Sequence, residues 1–228
     1  MTRTGGLRAA LACRPVGKVP RWELEFHAFD AASGRRLILG REFERLSAAE
    51  RERALRDNAE IILSVCAELE FAGVTGPNSY WEQAPGELAY YVLPNDYPER
   101  QLGVLREMAG DTLLLVANVG GVLGACYDVE FCQMLRDAPE EMGALARRTL
   151  ARGLERAKRF RDHVDCGLLV AGTPEAVYAA TRELLVTWGT RTGLVLGASN
   201  AVQREVPMEN YRAMVAAWKA YPGAESCR

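Results

Sequence analysis

Between Arg21 and Phe29 the chain reads RWELEFHAF, and the side chains that could do chemistry stand at every second position: Glu23, Glu25 and His27. Two carboxylates and an imidazole at that spacing could pass a proton to or from a substrate, because imidazole titrates near neutrality and a neighbouring carboxylate can orient it. Trp22, Leu24 and Phe26 fill the alternate positions, and such alternation predicts a strand with two unlike faces. In an open antiparallel sheet the polar face meets water. In a (β/α) barrel, whose outside is covered by helices, the same face points inward, where three such groups are costly unless they bind something. Glu25 and His27 lie toward the end of this strand, and Glu23 lies deeper.

Further candidates stand where apolar runs give out. Phe71–Val74 reads as a short strand followed by the loop TGPNSYWE, which carries Asn78 and Trp81. Thr112–Asn118 (TLLLVAN) reads as a buried strand ending in Asn118, and Gly193–Gly197 as another, followed by Ser199 and Asn200. In parallel α/β proteins ligands meet the chain at the carboxyl ends of strands, which makes Asn78, Trp81, Asn118, Ser199 and Asn200 candidate polar and aromatic contacts. Residues 76–98 hold four prolines and five Tyr or Trp, a composition that predicts a long aromatic loop, either a lid or a plug. The glycines after Asn118 follow neither the dinucleotide-binding nor the P-loop spacing. His163 and Cys166 lack a third ligand at metal-site spacing, so no metal or other cofactor is expected.

The elements that must position these residues are helices with clear signals. Ser47-Ala-Ala-Glu50 is a capping box, and the helix after it carries Leu55, Ile62, Val65, Cys66 and Leu69 on one face. Glu99–Ala109 is helical. Thr173 and Pro174 suit an N-cap and first helical position, and Pro207 suits the first turn of a last helix through Tyr211, Met214, Val215 and Trp218.

Composition narrows the function. A net charge of −2 without a basic tract argues against a nucleic-acid surface. No apolar run approaches the ~20 residues of a membrane span. The apolar stretch Leu7–Cys13 is short and broken by Arg8, so no signal peptide is read there. Six scattered cysteines without a C-x-x-C pair read as reduced thiols of a cytoplasmic protein.

Two blocks carry a family resemblance. TGLVLGASNAVQREVPMENYRAM (Thr192–Met214) resembles the C-terminal end of the uroporphyrinogen decarboxylase-like superfamily, which includes corrinoid and coenzyme M methyltransferases. CGLLVAGTPE (Cys166–Glu175) resembles the penultimate strand and helix start of the same barrels. The resemblance implies an eight-stranded (β/α) barrel, yet five strands are read: Trp22–Phe26, Phe71–Val74, Thr112–Asn118, Leu168–Ala171 and Gly193–Gly197. The helix ending near Asp162 runs into Val164 without a turn. The expectation is therefore one domain over 1–228, an incomplete TIM-type (β/α) barrel of about five parallel strands, with an N-terminal half over about 19–162, C-terminal units over about 164–221 and a seam near 163.

The function the resemblance implies is decarboxylation or methyl transfer on a small or tetrapyrrole-like substrate. Glu25 and His27 would be the acid/base groups; Glu23, Asn78, Trp81, Asn118, Ser199 and Asn200 would be substrate contacts, and a corrinoid protein a further partner. Where the decarboxylase branch has Met-Arg-Gln-Ala-Gly-Arg-Tyr, this chain has WELEFH, whose glutamates would repel a polycarboxylate. The zinc-binding His-x-Cys pair and distant Cys of the methyltransferase branch have no counterpart. The alternative is an inactive truncated barrel that acts through partner binding. An open barrel would expose strand edges and aliphatic side chains, so a homo-oligomer is expected to cover them, with the 76–98 loop as the other cover.

Overall fold

The computed structural model describes residues 2–79, 92–94, 96–116, 133, 136–138, 140, 166–190, 192–198 and 201–223. The chain divides into two compact units, Met1–Ala117 with Asp162–Arg228, and Asn118–Arg161. Almost all of the second unit, and the expected seam near 163, lie outside the described residues, so the fold described is that of the first.

Helices dominate this unit: α1 (Arg3–Leu11), α2 (Phe29–Ser33), α3 (Gly40–Glu44), α4 (Ala48–Glu68), α5 (Tyr97–Ala109), α6 (Cys166–Ala171), α7 (Pro174–Trp188) and α8 (Met208–Ala220). The strands are β1 (Gly73–Thr75), β2 (Asn78–Ser79), β3 (Val92–Leu93) and β4 (Leu114–Val116). They form two separate parallel pairs, β1 with β4 and β2 with β3. The expectation of an incomplete TIM-type (β/α) barrel with about five strands is thus overturned: among the described residues there is neither a barrel nor a five-stranded layer. Three expected strands account for the difference. Leu168–Ala171 lies in helix α6, with Gly172 N–H donating to Leu168 O at 2.9 Å in helical register. Trp22–Phe26 is interrupted by a bend at Leu24 and pairs only through isolated bridges, Arg21 with Leu196 and Phe26 with Val202. Gly193–Gly197 contributes only the first of these bridges.

The helix signals behave as their chemistry dictates. Ser47 accepts from Glu50 N–H while Glu50 accepts from Ser47 N–H, completing the capping box of α4. Thr173 caps α7 by accepting from Ala176 N–H. Helix α4 buries Leu55, Ala59, Ile62, Val65 and Cys66 and ends in a Schellman turn. Glu70 takes φ of 55° and Phe71 N–H donates back to Cys66 O at 2.9 Å. That turn aims Leu69 O and the Phe71 ring at the middle of the unit.

Four extended pieces lie side by side there. Trp22 N–H donates to Leu196 O (3.2 Å) and Leu196 N–H to Pro20 O (2.9 Å). Across the other edge, Ala72 N–H donates to Arg21 O (2.8 Å), and Leu114 N–H to Ala72 O (3.0 Å). The spatial order is therefore 196, 21, 72, 114, with the 20–23 piece central. The main core packs against it: Phe26 makes edge contacts with Phe29, Phe71 and Tyr211 at centroid distances of 5.0, 5.5 and 5.2 Å. Trp22 packs on the opposite side, beside Leu7, Ala72 and Val195.

Candidate functional site

The central piece carries a buried polar cluster. Glu23 is 3% exposed and Arg21 1%. One Glu23 oxygen, Oε1, accepts from Tyr211 Oη–H at 2.6 Å; the other, Oε2, accepts from Ala198 N–H at 2.8 Å. The Arg21 guanidinium donates through Nη2 to Tyr211 Oη at 3.0 Å and through Nη1 to Leu69 O. It lies among the rings of Phe71, Trp218 and Tyr211 at 5.3, 5.2 and 5.7 Å, an aromatic setting that suits a weakly hydrated cation. Burial pushes the Glu23 carboxyl up to about 7, against the opposing pull of the Tyr211 and Ala198 hydrogen bonds and the Arg21 charge. Tyr211 is raised well above its ordinary value, by burial first and then by the Glu23 charge.

Gly197 is required by this arrangement. A Cβ there would stand 2.5 Å from Trp22 O and 3.1 Å from Glu23 Oε2. The absent side chain lets the 194–198 piece approach closely enough for Ala198 N–H to reach the carboxylate.

Two residues along, the chain builds a different site. His27 Nε2 and Glu25 Oε2 stand 3.3 Å apart. The backbone holds both: His27 N–H donates to Val202 O (2.8 Å), and Val202 N–H to Glu25 O (2.9 Å). The Glu25 side chain is 30% exposed and that of His27 6%. Burial lowers the His27 pKa; Glu25 raises it in return, Arg204 lowers it and Glu205 raises it. Arg204 also stands 3.9 Å from Asp30. The result is an imidazole kept neutral at physiological pH beside a partly exposed carboxylate, an arrangement suited to accepting a proton.

The expected row of Glu23, Glu25 and His27 facing one way, with Trp22, Leu24 and Phe26 against helices, does not form. The bend at Leu24 breaks the two-residue period, so Glu23 and Phe26 both meet Tyr211 of α8. Leu24 is left 53% exposed. Glu23, expected as a substrate contact, has both oxygens engaged within the fold. Asn78 lies in β2, paired with Val92. Trp81, Asn118, Ser199 and Asn200 lie outside the described residues, as does most of the 76–98 loop.

Sequence reasoning missed Arg21, Tyr211 and Arg204. Arg21 meets Tyr211 across 190 residues, which no local spacing encodes; the one signal was a tyrosine on the apolar face of α8. Among the described residues no three His, Cys, Asp or Glu side chains gather as a metal site. No described helix is long and apolar enough to cross a membrane. The chain matches no family model, no curated protein and no solved structure.

Proposed function

We propose that Glu25 and His27 are the proton-transfer pair of an enzyme acting on a small or tetrapyrrole-like substrate, akin in its chemistry to the uroporphyrinogen decarboxylase-like proteins. The observation that carries this reading is the 3.3 Å approach of His27 Nε2 to Glu25 Oε2, with the imidazole held neutral and the carboxylate partly open to solvent. His27 accepts the proton and Glu25 steadies the imidazolium that results. The resemblance of residues 192–214 to that superfamily supports decarboxylation or methyl transfer, with a corrinoid protein as partner in the second case.

The test uses the full chain with uroporphyrinogen, reading CO2 release, and with methylcobalamin and a thiol, reading the methylated thiol. Turnover in one assay, reduced by about 10²–10⁴ in His27→Gln, supports the proposal. Turnover unchanged in His27→Gln, or no turnover and no shift of the His27 imidazole resonances with either compound, overturns it.

One observation favours a second reading, a non-catalytic protein that acts through a second copy of itself or another partner. Leu24 is exposed between the buried Glu23 and Phe26, although it sits in the central extended piece. Light scattering separates the two: a dimer that Leu24→Glu dissociates supports association through this piece, and a monodisperse monomer of 25.1 kDa rejects the homo-oligomer.

A further inference from the structure

Beside the Glu25–His27 pair stands a cation that the proposed proton transfer does not use. Arg204 is tied to the surroundings of the pair at two points. Two residues before it, Val202 exchanges backbone hydrogen bonds with Glu25 and His27. Its side chain comes within 3.9 Å of Asp30, which lies in the first turn of α2, three residues after His27. The His27 imidazole accordingly feels the Arg204 charge. The guanidinium is loosely held. At 3.9 Å the approach to Asp30 Oδ2 is too long for a hydrogen bond, and Arg204 donates none to a described residue. Asp30 is committed elsewhere, since its Oδ1 accepts from Leu37 N–H at 3.0 Å. By contrast Arg36, Arg51 and Arg100 each donate to an oxygen of the fold. Arg204 thus keeps a planar fork of donors on a side chain that is 36% exposed.

We propose that Arg204 anchors a single carboxylate group of a small substrate and holds it beside the Glu25–His27 pair. The assignment rests on reading that pair as the proton-transfer site. A guanidinium matches a carboxylate through two parallel N–H···O bonds, a geometry that the long contact with Asp30 leaves unmade. A ligand carboxylate takes the place of that contact, and no hydrogen bond of the fold is lost. The acidic groups nearby set how much charge the site accepts. Glu25 and Glu205 act on His27 as Arg204 does, and Asp30 stands against Arg204. These carboxylates are partly or fully exposed, so water and salt screen them, whereas the paired donors act at contact. One cation suits one negative charge; a second charge on the ligand would meet only repulsion. The substrate class is therefore a small monocarboxylate rather than a tetrapyrrole bearing many carboxylates.

The test titrates propionate into the full chain at pH 7.5 and constant ionic strength, and follows the His27 imidazole by NMR. The chain has two histidines, and His27→Gln assigns the signals. Propionate should shift the His27 signals to saturation, and its neutral analogue propionamide should not. Arg204→Gln should weaken propionate binding about tenfold or more. Asp30→Asn keeps an oxygen for Leu37 N–H and removes the competing charge, so it should tighten binding. Succinate, which brings a second charge, should bind more weakly than propionate. His27 signals that ignore propionate, or that respond equally to propionamide, overturn the anchor. So does unchanged binding in Arg204→Gln, weaker binding in Asp30→Asn, or succinate that binds more tightly than propionate. Arg204 makes no hydrogen bond within the described fold, so Arg204→Gln keeps that fold. The proton-transfer reading fails separately: turnover unchanged in His27→Gln would leave the propionate titration of the native chain as it stands.

Discussion

Replacing Gly197 by alanine tests the close approach on which the centre of the unit depends. The added Cβ would lie 2.5 Å from Trp22 O, a backbone atom, where real Cβ contacts essentially never fall below 3.0 Å. The two pieces must separate by at least half an ångström, and neither atom is the end of a flexible side chain. Separation stretches Trp22 N–H to Leu196 O, already 3.2 Å, and Ala198 N–H to Glu23 Oε2 at 2.8 Å. Overpacking of this kind costs about 1–3 kcal/mol, and each of the two weakened hydrogen bonds adds about 1 kcal/mol, so a loss of about 3–5 kcal/mol is expected. The control is Gly103→Ala in α5, an exposed helical position whose new Cβ meets nothing within 4 Å. Alanine there should gain about 0.8–1 kcal/mol through helix propensity. Urea unfolding of both variants at one pH measures the contrast. A Gly197→Ala chain as stable as the native one would refute the argued proximity of 20–23 and 194–198.

Three further outcomes follow from buried groups. Asn58 holds Ile38 by both backbone groups at 2.9 Å, so Asn58→Asp sets oxygen against Ile38 O and should cost about 2–4 kcal/mol at pH 7.5. The new carboxyl's folded-state pKa is raised, so the deficit should shrink at pH 5, where a protonated carboxyl can donate; urea unfolding relative to the native chain at each pH checks both. Burial pushes the Cys66 thiol up to about 12, while Cys13 is exposed, so iodoacetamide followed by peptide mass analysis should label Cys13 long before Cys66 in the native state. The depressed pKa of His27 contributes stability above its unfolded value that is lost as pH falls, so between pH 7.5 and 5.5 the native chain should lose more unfolding free energy than His27→Gln.

What was legible in the sequence was local. The Ser47–Glu50 box, the Thr173–Pro174 start and the apolar face of α8 each follow from interactions spanning three or four residues, and each forms as expected. The run CGLLVA misleads because a short apolar stretch fits a buried strand and a buried helix equally by periodicity. A distant residue helps decide it: Asn210 Nδ2 donates to both Leu169 O and Gly172 O at 2.9 Å, clasping the carboxyl end of α6 against α8. The alternation of WELEFH misleads for a related reason. A two-residue period holds only while the backbone stays extended, and the bend at Leu24 resets it.

That reset separates two roles that the sequence alone presents as one row of polar residues. Before the bend, Glu23 lies where 194–198, β1 and α8 converge, and both of its oxygens are taken by groups far away in the chain. Burial is what pushes its carboxyl up to about 7. After the bend, Glu25 and His27 follow the chain as it turns toward Val202, where one side of the pair keeps contact with solvent. Glu25 is the partly exposed member of that pair, whereas both oxygens of Glu23 are engaged inside the fold. The two sites nevertheless share one short connection, because the 194–198 piece that Glu23 holds and the Val202 that brackets His27 are four residues apart.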